Sequence, residues 1–273
     1  MVVFPNCKIN LGLHITGKRA DGYHELETVF YPVPLKDMLE VVHAVAAEQE
    51  DIRFTSSGLS IPGDVAGNLC IRAYRLLKKD FPALPHIQMH LHKKIPMGAG
   101  LGGGSSDGAF TLKLLNEKFQ LGLSSAQLIQ YAAQLGSDCP FFILNQPCYG
   151  TGRGEILDPV QLDLSNYRFV LIHPGIHIST KWAFEQLTPA KAPRPVTTIL
   201  QQPVTEWKLE LRNDFEAPIL QAYPEILAIR QALYKDGALY ASMSGSGSAV
   251  YGIYAADQPI GIQQHTGYPY YIV

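Results

Sequence analysis

The most glycine-rich stretch of this chain reads Pro96-Met97-Gly98-Ala99-Gly100-Leu101-Gly102-Gly103-Gly104-Ser105-Ser106-Asp107. Five of the seven residues at 98–104, here called the glycine segment, are glycine. The backbone there can approach a ligand without an intervening Cβ and can adopt positive φ angles. If a helix follows, its N-terminus presents unpaired N–H groups to whatever the glycines hold. The stretch therefore favours phosphate binding and a nucleotide-handling enzyme.

The residues on either side of the glycine segment have clear periodicity. Residues 87–95 alternate apolar and polar side chains until Lys93 breaks the pattern, which predicts a strand. On the other side, Ser105 or Ser106 can cap a helix that continues to about Phe119. The glycine segment is thus predicted to connect a strand to a helix.

The remaining periodic segments predict further strands and helices. A capping box of Ser124 and Gln127 predicts a helix that ends at Gly136. The other expected elements are strands at 141–144, 167–173, 238–243 and 249–254, a glycine-rich connection at 149–154, a loop at 244–248, and an excursion or linker at 187–206. Because strands and helices are interleaved without strict βαβ alternation, we expect an α+β fold with two domains, at 1–158 and 159–273.

Composition excludes several classes of protein. With 273 residues and a formal charge of −2, the chain is long enough for an ample core and is not basic, which argues against general nucleic-acid binding. No apolar run approaches about 18 residues, so no transmembrane helix is expected. The start of the chain lacks signal-peptide features. Four scattered cysteines, at Cys7, Cys70, Cys139 and Cys148, are expected to be reduced thiols of a cytoplasmic protein.

The glycine segment also fits other loops in part. It contains Gly98-x-Gly100-x-x-Gly103, the spacing of dinucleotide-binding loops, but no acidic residue that ends a second strand is evident about 20 residues later. A nicotinamide or flavin oxidoreductase therefore stays an alternative. No lysine follows the glycines, which excludes a Walker-A loop. A mobile surface loop is the non-functional alternative.

Two charged residues stand out among apolar neighbours. In a strand near the N-terminus, Lys8 and Asn10 face one side, so Lys8 is either a snorkelling edge residue or a placed charge. Asp138 lies in a turn between apolar segments, where it can cap a helix or act as a general base.

Two further segments carry aromatic or histidine side chains. Tyr23 and His24 follow Gly22 at a hairpin tip and can either be solvated or stack on a flat ring. His90 and His92 share one face of a strand, but without a third ligand they are expected to be solvated residues.

Three segments in this order resemble the signature motifs of the GHMP kinase superfamily, which includes galactose, homoserine, mevalonate and phosphomevalonate kinases. They lie at 5–11, 96–107 and 243–248. The segments at 18–26, 136–142, 173–175 and 213–216 are similar to those of one member, which phosphorylates cytidine diphosphate methylerythritol at its 2-hydroxyl. The resemblance implies a ribosomal-S5-like N-terminal domain and a ferredoxin-like C-terminal domain. Residues 258–273 are polar, interrupted by proline and shorter than the helical ending that the resemblance implies.

The resemblance also implies roles for particular residues. Asp138 and Lys8 match the catalytic aspartate and lysine. ATP is expected to contact Asn68, Lys93, Pro96, Met97, Gly98, Ala99, Gly100, Leu101, Gly102, Gly103, Gly104, Ser105 and Ser106. The cytidine substrate is expected to contact Asn10, Tyr23, His24, Phe30, Thr180 and Phe184.

The implied reaction needs ATP and Mg²⁺ and a small-molecule acceptor, with no nucleic acid or membrane partner. Mg²⁺ is expected to accompany ATP and to touch Ser105 or Ser106. No acidic metal ligand stands out, so the ion is expected to be carried largely by the nucleotide and water. The alternatives within the superfamily are a homoserine kinase and a mevalonate-type kinase or decarboxylase. An S5-like RNA-binding module is a further alternative, against which the charge of −2 argues.

Overall fold

The computed structural model describes residues 1–44 and 51–273, and over these ranges the chain forms twelve strands and nine α-helices. The strands are β1 (Val2–Val3), β2 (Asn6–Lys18), β3 (His24–Lys36), β4 (Met38–His43), β5 (Ile52–Gly58), β6 (Ile87–Lys93), β7 (Cys148–Thr151), β8 (Ile156–Pro159), β9 (Tyr167–Ile172), β10 (Tyr240–Met243), β11 (Val250–Ala255) and β12 (Tyr270–Ile272). The helices are α1 (Leu69–Asp80), α2 (Gly103–Lys118), α3 (Ser125–Leu135), α4 (Cys139–Leu144), α5 (Thr180–Glu185), α6 (Val196–Ile199), α7 (Val204–Glu210), α8 (Glu216–Ala222) and α9 (Pro224–Lys235).

The chain divides into two compact units, each built from segments that are distant in sequence. Unit 1 comprises Met1–Cys7, Pro34–Met97 and Gly102–Gln146, and unit 2 comprises Lys8–Val33, Gly98–Leu101 and Pro147–Val273. The glycine segment contributes residues to both units. The domain boundary at 158/159 stays a prediction.

Unit 1 contains a four-stranded sheet and four helices. The strand order is β1-β4-β6-β5, and only the β5–β6 pair among these is parallel. Leu39 and Val41 are buried, whereas Glu40 and Val42 between and beside them are exposed, so one face of β4 is covered. Helices α1 and α2 contact the sheet and each other. The strand predicted at 87–95 is confirmed as β6, which leads into the glycine segment.

Unit 2 contains two four-stranded sheets, with strand orders β2-β3-β7-β8 and β10-β11-β9-β12. A hydrophobic core includes Val170 and Ile172 of β9 together with Ile226, Ile229 and Leu233 of α9. The strands predicted near 167–173, 238–243 and 249–254 are confirmed as β9, β10 and β11. The α+β fold class is confirmed as well, since helices and mostly antiparallel strands occur in both units.

Helix α2 begins earlier than predicted. Its N-cap is Gly102, whose φ of 68° lies in the left-handed region, and no side chain caps the helix. The predicted cap at Ser105 or Ser106 is therefore wrong, because both serines lie within the first turn. A Cβ at Gly103 would lie 2.8 Å from Cγ2 of Ile95. Glycine at this position lets the helix start directly against the residues that follow β6. The next predicted helix, α3, does begin with the Ser124 and Gln127 capping box and ends at Gly136.

The strand predicted at 141–144 is wrong, because these residues belong to helix α4. Phe141 and Phe142 are fully buried, so the run is apolar on every side and its pattern cannot distinguish a strand from a helix. Pro140 lies in the first turn, where its fixed φ favours a helix. Asn145, with a φ of 51°, ends the helix.

Three connecting regions have more structure than predicted. The glycine-rich connection at 149–154 contains most of β7, because Gly150 leaves room for the Phe30 ring, 2.6 Å from the position of a Cβ. The excursion at 187–206 carries helices α6 and α7, each preceded by a proline. Residues 258–273, whose conformation the sequence leaves open, form a 3₁₀ turn and strand β12, which pairs with β9.

Two sequence properties have direct structural counterparts. The four cysteines are buried and form no disulfide, in line with the prediction of reduced thiols. Across residues 1–44 and 51–273, none of the helices has the length and apolar character needed to cross a membrane.

Candidate active site

The glycine segment follows β6 and leads into helix α2. Gly98, Gly100 and Gly102 have φ angles of 64°, 77° and 68°, which L side chains rarely adopt. The first N–H groups of α2 have no acceptor within the helix, and no side chain caps them. The segment thus presents backbone N–H groups at a helix N-terminus, an arrangement suited to phosphate oxygens.

The loop at 244–248, here called the serine-glycine loop, packs directly on the glycine segment. Ser244 Oγ donates a hydrogen bond of 2.9 Å to the carbonyl oxygen of Gly100. A Cβ at Gly100 would lie only 2.0 Å from the Ser244 carbonyl oxygen. The Ala249 N–H also donates to the Ala99 carbonyl, at 3.1 Å. The loop is therefore part of the support of the glycine segment and more than a plain hairpin connection.

Lys8 is buried in β2 and is held by polar neighbours. Lys8 is only 4% exposed, so its ammonium group does not extend to solvent as that of a snorkelling lysine would. Lys8 Nζ donates to Asn10 Oδ1 at 2.6 Å, and Asn10 Nδ2 donates to Thr28 Oγ1 at 3.1 Å. The Nζ atom also lies 5.2 Å from the centre of the Phe30 ring. Lys8 and Asn10 share one face of the strand, as predicted, and Lys8 is a placed charge.

Asp138 lies between helices α3 and α4, in the turn that the sequence predicts. It occupies the N-cap position of α4, but its carboxylate does not cap the helix. The side chain is half-buried. Since capping does not explain this aspartate, its position is compatible with chemistry on a bound molecule.

Two of the residues predicted to hold cytidine stack on each other. The rings of His24 and Phe184 are 4.7 Å apart and nearly parallel, at 15°. Phe184 also packs edge-on against Phe215, with the ring centres 4.9 Å apart. The pairing brings the hairpin at 18–26 together with α5 and forms an aromatic platform.

The other predicted cytidine residues have different environments. Tyr23 is 55% exposed, and the Arg153 guanidinium lies 4.8 Å from the centre of its ring. Thr180 Oγ1 lies 3.3 Å from Ser246 Oγ of the serine-glycine loop. Phe30 is buried against Gly150 and beside Lys8. Tyr23 and Thr180 are exposed and accessible to a ligand, whereas the Phe30 ring is packed inside unit 2.

A cavity of about 430 Å³ lies in unit 1 beside the start of α2. Three of the residues predicted to contact ATP line it: Asn68, Met97 and Gly104. Its remaining lining is largely apolar and includes Phe54, Ile61, Pro62, Leu69 and Leu91. A concave apolar site with a few polar groups suits a flat heterocycle.

Lys93, which is predicted to lie near adenine, is buried in an ion-pair cluster. Its Nζ donates to Asp37 Oδ2 and, at 2.7 Å, to Asp107 Oδ2. Asp37 Oδ1 also accepts the N–H groups of Lys94 and Ile95, at 2.6 and 2.8 Å. The cluster ties β6 and the start of α2 to the turn between β3 and β4. A contact between Lys93 and adenine stays a prediction.

The charges in this cluster shift one another's pKa values. Burial lowers the pKa of Lys93, but Asp107 and Asp37 outweigh burial and raise it above the ordinary value. Burial raises the pKa of the Asp107 carboxyl well above its usual range. Lys93 therefore keeps its charge and binds two carboxyl groups in a site closed to solvent.

Lys93→Met is expected to lower the free energy of unfolding by about 3–5 kcal/mol, because it leaves two buried carboxyl groups without their cation. Urea unfolding measures the loss. The control is Lys94→Met, whose exposed side chain should matter by less than about 0.5 kcal/mol. Equal losses in the two variants would contradict a stabilising role for the buried cluster.

Metal ligands are sparse in unit 1. In the portions of the chain that the structure describes, no three His, Cys, Asp or Glu side chains are grouped to hold a metal ion. The Ser106 hydroxyl is buried at the start of α2 and has no hydrogen-bond partner among the described residues. It is thus an oxygen that a ligand could satisfy. His90 and His92 instead bond to Ser57, at 2.9 and 3.0 Å.

Comparisons with known proteins identify the family of this chain. The model of the GHMP kinases N-terminal domain matches residues 68–146, and that of the GHMP kinases C-terminal domain matches residues 199–263. The 4-diphosphocytidyl-2-C-methyl-D-erythritol kinase of Bacteroides fragilis is 50% identical over 260 residues, or 95% of this chain and 94% of that protein. The chain belongs to this kinase family.

Two further relatives of the 4-diphosphocytidyl-2-C-methyl-D-erythritol kinase family support the assignment. The kinase of that name from Cytophaga hutchinsonii is 50% identical over 93% of this chain and 92% of its own length. A crystal structure of 4-(cytidine 5'-diphospho)-2C-methyl-D-erythritol kinase has a TM-score of 0.84 and 30% identity, with 100% of this chain and 98% of that chain covered. The predicted superfamily and its kinase activity are confirmed, and the oxidoreductase and RNA-binding alternatives are not supported.

Several residues that contact the predicted site residues of this 4-diphosphocytidyl-2-C-methyl-D-erythritol kinase family member were not themselves predicted as part of a site. They are Thr28, Asp37, Asp107 and Asn213. One of them, Asp107, left a signal in the sequence, as did its partner Lys93. Lys93 breaks the alternation of its strand, which indicates a buried charge that needs partners, and Asp107 closes the glycine-rich stretch. The partner Asp37, 56 residues away, could not be identified from the pattern.

Proposed function

We propose that this chain transfers the γ-phosphoryl group of ATP to the 2-hydroxyl of 4-diphosphocytidyl-2-C-methyl-D-erythritol, in non-mevalonate isoprenoid biosynthesis, with Asp138 and Lys8 as catalytic residues. The observation that carries the proposal is the glycine segment, whose left-handed glycines lead into an uncapped helix beside a cavity suited to a purine. Identity of 50% over nearly the whole chain to kinases of this name supports the acceptor. We also propose that the protein is cytoplasmic, as expected from its scattered cysteines.

ATP binding uses the backbone more than side chains. The N–H groups of the glycine segment and of the first turn of α2 hold the β- and γ-phosphates, since a helix N-terminus favours negative charge. The adenine base occupies the cavity lined by Asn68 and Met97. The Cys70 N–H donates to Asn68 Oδ1 at 2.9 Å and fixes the orientation of the Asn68 side chain.

Phosphoryl transfer depends mainly on positioning and on neutralisation of charge. Asp138 accepts the proton of the acceptor hydroxyl as that oxygen attacks the γ-phosphorus. The bond between the γ-phosphorus and the oxygen that bridges to the β-phosphorus breaks, and ADP leaves. Lys8 offsets the negative charge on the transferred group. Its ammonium is fixed by Asn10, so little reorganisation is needed when the substrate binds.

Mg²⁺ is part of this proposal and suits the serines of α2. The buried Ser106 hydroxyl, which has no partner among the described residues, and the adjacent Ser105 are the groups that would hold it. Bound to the phosphates, the ion supplies charge neutralisation. Because no carboxylate cluster occurs in the described residues, nucleotide oxygens and water would complete its coordination.

The cytidine of the acceptor stacks on the aromatic side chains of unit 2. His24 and Phe184 form the platform, and the exposed Tyr23 ring covers the base. Asn10 and Thr180 add polar contacts. Stacking on aromatic rings contributes about 1–3 kcal/mol per base.

Tyr23→Ala is expected to raise the KM for the cytidine substrate by about tenfold, because one stacking contact is lost. The KM for ATP should stay unchanged. Steady-state kinetics with each substrate varied in turn measures the split, and Tyr131→Ala is the control on another partly exposed tyrosine. A rise in the KM for ATP instead would show that Tyr23 does not hold the cytidine.

The proposed acceptor is tested by a comparison of substrates. We expect ATP-dependent turnover with 4-diphosphocytidyl-2-C-methyl-D-erythritol and none above background with homoserine or mevalonate. Turnover of either of the latter at a similar kcat/KM would overturn the proposed specificity.

A further inference from the structure

Residues 211–215 of unit 2 connect α7 to α8 and are fixed to strand β2. The Leu13 N–H donates to the Arg212 carbonyl at 2.9 Å, and the Asp214 N–H donates to the Leu13 carbonyl at 2.8 Å. Asp214 Oδ2 accepts the Ile15 N–H at 2.8 Å. These backbone bonds give the connection a fixed position on the strand that also carries Lys8.

The Asn213 side chain uses all of its main hydrogen-bonding groups. It is 3% exposed, and its Nδ2 donates to the carbonyl oxygens of Met243 and Gly245, at 2.9 and 2.8 Å. Its Oδ1 accepts the Phe215 N–H at 3.0 Å. The amide thus bridges the two residues on either side of Ser244, at the start of the serine-glycine loop.

Glu216, the first residue of α8, fixes the same loop through its contacts with β10, the strand that precedes the loop. Its Oε1 accepts the Met243 N–H at 2.8 Å and the Ser242 hydroxyl at 3.0 Å. Its Oε2 accepts from Arg230 Nη1 at 2.7 Å. Met243 is therefore held at its N–H by Glu216 and at its carbonyl by Asn213.

The position of the loop is transmitted to the glycine segment by direct contact. Ser244 donates to the Gly100 carbonyl, and the space for a Cβ at Gly100 is taken by the Ser244 carbonyl. A Cβ at Gly245 would also lie 3.5 Å from the Gly100 Cα. A shift of the loop must therefore displace Gly100 or break its hydrogen bond.

We propose that Asn213 is a positioning residue, which holds the serine-glycine loop so that Gly100 keeps the conformation that binds ATP phosphates. Asn213 contacts no substrate in this role and acts through Met243, Ser244 and Gly245. The proposal rests on the proposed function of the glycine segment. Its consequence is specific, since a displaced Gly100 weakens phosphate binding and leaves the adenine cavity of unit 1 intact.

Asn213→Asp tests the proposal, because it puts a carboxylate oxygen against two carbonyl oxygens without a change in size. Binding of ADP and of adenosine to the variant is measured by isothermal titration. We expect the Kd for ADP to rise at least about tenfold, through loss of two buried hydrogen bonds. The Kd for adenosine should stay within about twofold of the wild-type value. The KM for ATP should rise in parallel with the Kd for ADP.

Asn116→Asp is the matched control, because Asn116 also bridges a loop, with bonds of 3.0 and 2.9 Å to Leu123. It should change neither Kd. If Asn213→Asp does not fold, Ser244→Ala decides, since it removes only the hydroxyl that bonds Gly100 and is expected to weaken ADP alone. Unchanged ADP binding, or equal weakening of ADP and adenosine, would overturn the inference. Turnover of the wild-type protein is measured separately, so a failure of the proposed function is distinguishable from a failure of this inference.

Discussion

Asp138→Asn is expected to lower kcat by about 10²–10⁴-fold, the contribution typical of a positioned general base. The amide keeps the shape of the side chain but cannot take the proton of the acceptor hydroxyl. Both KM values should stay close to those of the wild-type protein, because Asp138 is not assigned to binding. Because its carboxylate does not cap α4, the substitution should also leave that helix intact.

The control for this experiment is Asp80→Asn. Asp80 ends α1, and its carboxylate accepts a hydrogen bond of 2.7 Å from the Tyr131 hydroxyl. This variant should retain wild-type kcat. Thermal unfolding of both variants separates loss of chemistry from loss of fold. A kcat within threefold of the wild-type value for folded Asp138→Asn would remove Asp138 from the mechanism.

Lys8→Met is expected to lower kcat by about 10²–10³-fold, as loss of one group that stabilises transition-state charge does elsewhere. The methionine side chain occupies similar space between Asn10 and Phe30 but carries no charge. Since the lysine acts mainly on the transferred phosphoryl group, kcat should fall more than either KM rises. Rapid-quench measurement of a single turnover tests this directly, because it reports the chemical step.

Lys118→Met is the control for Lys8→Met. Its ammonium also lies over an aromatic ring, 5.7 Å from the centre of the Phe119 ring, but at the C-terminal end of α2. This variant should turn over at the wild-type rate. A folded Lys8→Met protein with an unchanged single-turnover rate would show that Lys8 is only a structural cation of β2.

Local features of the sequence predict the parts of the site that depend on backbone conformation. The glycine segment, strand β6 and the capping box of α3 are all set by neighbouring residues, and their positions are close to those predicted. Alternation likewise placed Lys8 and Asn10 on one face of a strand. These predictions hold because period and glycine content report directly on φ, ψ and side-chain direction.

Features that depend on distant partners could not be predicted. No residue near Lys93 in the sequence indicates that Asp37 accepts a hydrogen bond from the Lys93 ammonium group. Likewise, no residue near Gly100 in the sequence indicates that Ser244 occupies the space beside it. The buried run at 141–144 has no polar face, so its helix depends on packing and on Pro140. Assembly of the site therefore follows from tertiary contacts, whereas its individual segments follow from local sequence.

The position of the transferred phosphate tests the central claim most directly. The purified protein is incubated with ATP, Mg²⁺ and 4-diphosphocytidyl-2-C-methyl-D-erythritol, and the product is examined by ³¹P–¹H correlation spectroscopy. We predict one new phosphomonoester, bonded to the oxygen at carbon 2, and one ADP formed for each product molecule. A phosphate at another hydroxyl, or ADP formed without a phosphorylated acceptor, would contradict the account.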